Sequence, residues 1–411
     1  MRMNRRWAAT AVLASACVAM GSCTTATNPF SFTQSFIWIA TAGDQILRPF
    51  TIQLLSGAIE QVGDGVSTGS HPGALPLAMT VTPNGQTVIL SNGDNTVDTY
   101  TVNSDGSLTP QTPITSIGQL PVAIAVDPTG NFLFAADQGS GDVSSYKISS
   151  GSLSPIGQVL LPTPAGAPQA SPSALAVAPT GNFLYVTDRV NNTLLGFSYD
   201  SAGNITPLPG PQNTQPNPCG LQPSVFCVPV GANPDGLAFS RCAGINPATP
   251  TTTCANSDDN NLFVSNAGSN SVSIFTACIQ ASASCSTPNL GTLTELPTGS
   301  PVAACCGPSQ ILIDPVADFV YVLEAGASQL GEFSYSPVTG ALTTLSPASV
   351  STGSAPFAAG ITANTSNTNW VVVTNANSSN ASVFAISGGR LTGLASGPIL
   401  LPSQPTAVAV R

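Results

Sequence analysis

Seven residues occupy the same place in a repeating pattern, each closing a short apolar run: Thr41, Asn92, Asp137, Asp188, Asn266, Glu324 and Asn375. Three of them carry carboxylates. Asp137, Asp188 and Glu324, gathered around one opening, have the chemistry to hold a divalent cation or to act as a general base, with Arg189 the only obvious basic neighbour. The same residue types also end strands for a plainer reason, because Asn and Asp side chains bond to the backbone of the turn that follows. The rest of the reactive inventory is thin. The single histidine, His71, lies in the loop sequence Gly69-Ser70-His71-Pro72-Gly73, so a Ser-His-Asp or Cys-His arrangement has no evident partner and multi-histidine metal sites are excluded. No Cys-x-x-Cys spacing occurs, which removes the usual zinc and c-type haem signatures. No metal-ligand set is assigned, and no cofactor is expected beyond a divalent cation at an axial pocket.

What must position these residues is a repeated unit, clearest between Pro172 and Asp188 (PSALAVAPTGNFLYVTD). Copies open at Pro76, Pro121, Pro172, Pro234, Pro308, Pro356 and Pro405, roughly at the spacing of propeller blades. Small residues alternate along each opening strand, as in Ala123 with Ala125 and Gly236 with Ala238, which suits a strand crowded against a central axis. The next run is apolar on both faces (Phe132-Leu133-Phe134-Ala135, Trp370-Val371-Val372-Val373), as a sheet packed between two neighbours requires. Pro128-Thr129-Gly130-Asn131 and its counterpart at Pro179 supply the turn between them, and two further strands follow, the last after a glycine turn. These features predict an all-β, seven-bladed propeller with four antiparallel strands per blade. One copy is split across the termini. Pro405 to Val410 is an opening strand with nothing after it, and Phe36-Ile37-Trp38-Ile39 begins at a second strand, so the two are expected to pair and close the ring without an exposed edge. On this reading residues 36–411 form one propeller, and the seven strand-end residues become a polar ligand-binding rim around its axis, near the face bearing the blade connections, termed the top.

Tyr185-Val186-Thr187-Asp188 is nearly the signature of the YVTN-type seven-bladed propellers, and the repeat as a whole resembles the lactonase-type propellers related to 6-phosphogluconolactonase. The resemblance covers about residues 36 to 411. It implies the fold and, as an activity, opening of a lactone ring by Arg, His and acidic residues converging on a central cleft. The matching positions are strand and turn residues, and a fold does not fix a function. A complete scaffold without a matched reactive set favours a non-catalytic binding module, with a small molecule, glycan or protein at the top face. The alternative is a lactone hydrolase acting on a substrate without phosphate. A redox quinoprotein finds no cofactor motif.

Arg2, Arg5 and Arg6 precede an apolar run from Trp7 to Met20, which reads as a signal peptide over residues 1–22. Gly21-Ser22-Cys23 resembles a lipobox, making Cys23 the lipidated residue at the head of a tether over 23–35, with Cys17 the alternative. Removing the signal takes three of nine basic residues and none of the 19 acidic ones. The remaining chain, strongly acidic, lacks the basic patch that phosphate binding needs, so nucleic acid is not expected as a partner, nor membrane except through the lipid. Cys219, Cys227, Cys242, Cys254, Cys278, Cys285, Cys305 and Cys306 all fall in or beside the fifth blade, an even set that predicts disulfides in an exported, envelope-bound or secreted monomer. Cys219, Cys227, Cys305 and Cys306 lie in top connections and the other four in bottom hairpins, so pairs stay within a face, and sequence-local pairing is the simplest arrangement. Replacing Cys23 by Ser is expected to move the protein from the membrane fraction to the soluble one on fractionation. Release by Cys17→Ser instead would transfer the lipid to Cys17.

Overall fold

A computed structural model describes residues 34–69, 74–210, 218–221, 225–240, 260–282, 285–286, 289–337, 339–364 and 368–411. The signal and lipidation assignments at Cys17 and Cys23, together with His71, Arg241, Cys242 and Cys254, lie outside the described residues. Gln34 to Arg411 is one compact unit. It contains seven antiparallel sheets, the blades, each built from four successive strands with short additional strands at some outer edges. The inner strands of blades 2 to 7 are Pro76–Val81, Pro121–Val126, Pro172–Val177, Pro234–Phe239, Pro308–Ile313 and Pro356–Ile361. Blade 1 takes its inner strand, Pro405–Val410, from the C-terminus and its second strand, Gln34–Thr41, from the start of the fold. Ile37 pairs with Val410 and Ile39 with Val408, and Phe36 and Arg411 exchange two backbone hydrogen bonds of 3.1 and 2.9 Å. The predicted closure of the ring is therefore present, with the first strand starting two residues before Phe36.

Second strands carry the packing. Phe132, Phe134 and Ala136 point towards blade 4, and the alternate residues Leu133 and Ala135 point towards blade 2. Every blade interface holds one such apolar cluster, seven in all. Burying a side chain of this size contributes about 1.5–3 kcal/mol, so each interface is a substantial fraction of the fold's stability. A recurrent wedge fixes how closely neighbours approach. The hairpin between the third and fourth strands turns at a glycine with positive φ (Gly57, Gly106, Gly151, Gly203, Gly291, Gly340 and Gly389), and it abuts one equivalent residue of the preceding blade. Those partners are Trp370, Phe36, Thr87, Phe132, Phe183, Asn261 and Phe319, which a Cβ on the glycine would approach to 2.2–3.4 Å. Only glycine satisfies both the backbone conformation and the space. Polar ties reinforce the contact: the Trp38 indole donates to the Gly106 carbonyl (3.0 Å), and the Tyr185 and Tyr321 hydroxyls donate to the carbonyls of Gly291 (2.9 Å) and Gly389 (3.2 Å).

Three disulfides occur among the described residues, Cys219–Cys227, Cys278–Cys285 and the adjacent Cys305–Cys306, all pairing neighbours in sequence within one face. Among the described residues no helix is long and apolar enough to cross a membrane. The C-terminal strand contributes Val408 to the cluster with blade 7, and Ala407 and Ala409 to the cluster with blade 2. Deleting residues 405–411 therefore opens two interfaces at once. A loss of about 5 kcal/mol or more is expected, lowering the melting temperature by about 10 °C or abolishing the cooperative transition. A truncated protein melting within about 2 °C of the parent would show that closure does not hold the ring.

Candidate functional site

Each inner strand is bulged at its second residue. In blade 3 the pairing passes from Pro121 with Asp137 directly to Ala123 with Ala136, leaving Val122 without a partner. The same shift leaves out Leu77, Ser173, Asp235, Ser309, Phe357 and Thr406. A bulge takes its extra residue off the ladder and re-aims the side chain. Six of the seven line an axial cavity of about 580 Å³, within the usual range for small-molecule sites. Thr406 instead donates its hydroxyl to the Pro76 carbonyl (2.8 Å). Gln138, Arg189 and Ala325, each the first residue after a second strand, complete the upper wall.

The ring is divided by chemistry. Phe357, Leu77 and Val122, from blades 7, 2 and 3, form an apolar arc; Ser173, Asp235 and Ser309, from blades 4, 5 and 6, form a polar one. Arg189 reaches across from blade 4 to Asp235, with Nη2 3.1 Å from Oδ1. Burial raises the Asp235 carboxyl above the ordinary carboxylate range, and the guanidinium pulls it partly back. The hydroxyl of Ser173 donates to the Pro234 carbonyl at 2.6 Å, and Gln310 binds both the N–H and the C=O of Ala359 at 2.8 Å. These last groups stitch inner strands together. Among the described residues, Arg189 and Asp235 are the charged members of the wall.

The seven residues read from the sequence as a rim end their strands as expected, yet the structure places none of them in the cavity wall. Arg189 is the one candidate found there. Thr41, Asn92, Asp137, Asp188, Asn266, Glu324 and Asn375 are 0–3% exposed. Asp188 accepts from the N–H groups of Ser171, Val190 and Asn191, and Glu324 accepts from the Cys305 N–H and the Gln329 amide. Thr41 bonds to Asp44, the Ile46 carbonyl and Arg48. Asn92, Asn266 and Asn375 donate to Asp98, Ser273 and Ser382 of the following strand. The connection between blades lies directly on several of them: a Cβ on Gly118, Gly231 or Gly353 would fall 2.2–2.7 Å from the Cγ of Asp137, Asn266 or Asn375. Asp137, Asp188 and Glu324 thus anchor turns on three separate blades and do not converge on one cation. Among the described residues no group of three or more His, Cys, Asp or Glu side chains is placed to hold a metal. Asp137 stands beside a second buried carboxyl, Asp142, and accepts from Ser144 (2.6 Å). Burial and mutual repulsion raise the Asp137 carboxyl, and burial raises that of Asp142.

Asp235, Gln138 and Phe357 escape a sequence reading that follows the alternation of small residues, because the eye settles on Gly236 and Ala358 beside them. A signal was nevertheless available. The residue after each inner-strand proline changes type from copy to copy (Thr406, Leu77, Val122, Ser173, Asp235, Ser309, Phe357), while the next is nearly always small.

Residues 56–166 match the family described as "Lactonase, 7-bladed beta-propeller". Among solved structures the chain is similar to a candidate 6-phosphogluconolactonase from Bacteroides fragilis, with TM-score 0.69 and 17% identity over 93% of this chain and 99% of that one. It is also similar to the periplasmic gluconolactonase of Pseudomonas aeruginosa, with TM-score 0.67 and 17% identity over 92% and 99% of the two chains. At that identity the likeness is one of fold. No curated protein sequence matches the chain.

The Asp137–Asp142 pair makes stability depend on pH in a definite direction. Both folded values lie above the unfolded one, so the pair's contribution is fully present below about pH 4 and is lost as pH rises through the folded values. Asp142→Asn removes the like charge, and thermal melting should show a gain of about 2 °C or more at pH 8.5 that vanishes near pH 4. A gain of equal size at both pH values would mean that the pair does not titrate in this way.

Proposed function

We propose that this protein is a small-molecule binding propeller, exported and retained at the cell envelope, whose ligand occupies the axial cavity at the top face. The observation that carries this reading is the bulge ring, where six of seven blades place a variable residue in the wall of a cavity of ligand size. The three disulfides support an oxidising compartment. Among the described residues the wall carries neither a histidine nor a second carboxylate beside Asp235.

A second reading, hydrolysis of a lactone, is favoured by one arrangement. Asp235, with its carboxyl raised, could take a proton from water, and Arg189 at 3.1 Å could stabilise the oxyanion. The gluconolactonase from Pseudomonas aeruginosa lends this reading a precedent of fold. Steady-state assays on γ- and δ-lactones, with and without divalent cations, separate the two. Binding without turnover above the uncatalysed rate is expected. Turnover that falls about 10²-fold or more in Asp235→Asn would replace the binding reading with the hydrolytic one.

A further inference from the structure

Within the cavity reading, on which this inference rests, the division of the bulge ring into two arcs specifies the ligand. We infer that it is an uncharged amphipathic molecule, with an adjacent hydrogen-bond donor and acceptor at one end and an alkyl or aryl body at the other. Phe357 is 50% exposed at the mouth, and Leu77 and Val122 continue the same arc. A phenyl ring held open by a bulge in an otherwise packed inner strand is a surface for an apolar group. Below it, Ala78, Ala123, Ala174 and Ala407 leave room instead of filling the axis. Across the cavity, Asp235 and Arg189 present an acceptor and a donor side by side, 28% and 37% exposed, and each has atoms free for a ligand after the pair is made.

Charge excludes the other classes. Among the described residues the wall holds one cation and one anion, already paired, so an anionic head on the free donors of Arg189 would lie against the Asp235 carboxylate and be repelled by it. A phosphorylated ligand would find no second cation among those residues. A polyhydroxylated ligand would set unpaired hydroxyls against Phe357, Leu77 and Val122. An amide or a lactone bearing an N–H matches instead: its carbonyl accepts from Arg189, its N–H donates to Asp235, and its tail lies on the apolar arc.

The test uses N-acyl-α-amino-γ-butyrolactones with acyl chains of about four to ten carbons, titrated by calorimetry into the intact protein, with D-glucono-δ-lactone as the polar control. Affinity should rise about three- to fourfold per added methylene, the effect of burying one methylene. Phe357→Ser and Leu77→Ser should flatten that dependence, whereas Asp235→Asn should weaken every member equally, separating tail from head. Val122→Trp, which projects an indole from the apolar arc into the cavity, should weaken binding of the longer chains about tenfold or more. Affinity independent of chain length, tighter binding of the gluconolactone, or no binding by any acyl compound would overturn the ligand class. Affinity unchanged in a folded Val122→Trp and in Asp235→Asn would overturn the cavity reading itself.

Discussion

The second strand of every blade is buried on both faces, and the geometry of the molecule follows from that. A strand in this position has no solvent side on which to place a polar alternate, so both of its alternating sets must meet a neighbour, and seven blades must return to their starting point with each contact made. The glycine wedge sets the spacing. Where Gly389 meets Phe319 or Gly106 meets Phe36, a side chain on the hairpin would push adjacent blades apart, and the displacement would have to be absorbed around the closed ring. Closure is thus a shared condition on seven interfaces, and the strand from the C-terminus is the element that completes two of them.

The same crowding decides where function can vary. The third residue of each inner strand has almost no room: a Cβ on Gly236 would lie 2.5 Å from the Ser265 hydroxyl and 2.7 Å from the Ser309 carbonyl oxygen. Ala or Gly fills this position in six of the seven blades, and Gln310, the exception, is held by both backbone groups of Ala359. The bulged residue just before it leaves the ladder. It is the position at which size, charge and polarity change from blade to blade, with Thr, Leu, Val, Ser, Asp, Ser and Phe there; Ser173 and Thr406 still bond to the next inner strand.

Much of the fold was legible because its constraints are periodic. Proline at each inner-strand start, apolar runs read on both faces and half-units at the two termini are enough to count blades and to join the ends. The three disulfides among the described residues join sequence neighbours, the simplest of the pairings that remain once bridges between faces a strand length apart are excluded. The site was harder, and the reason is register. Asp137, Asp188 and Glu324 have the residue types of a reactive rim, but the connection between blades descends onto the strand end, with Gly118 against Asp137 as the clearest case, and turns that side chain into a buried anchor. The wall takes the next residue along, Gln138, Arg189 or Ala325. The bulge falls at the second residue of the strand, too early for a break in the period-two pattern to show, so only the change of residue type from copy to copy marks Asp235.

Electrostatics separates this cavity from its chemical alternatives more sharply than shape does. The chain is acidic, with 19 Asp and Glu against nine Lys and Arg, and its field does not attract anions towards the axis. Placing one guanidinium beside one carboxylate at the mouth keeps the wall neutral while preserving directional donors and acceptors. A charged ligand would lie against the like-charged member of that pair, which is costly where both partners are half withdrawn from water. A neutral ligand can bond to both members at once without separating them. The Arg189–Asp235 pair is therefore best understood as a hydrogen-bonding platform whose selectivity lies in charge, set opposite an apolar arc whose selectivity lies in size.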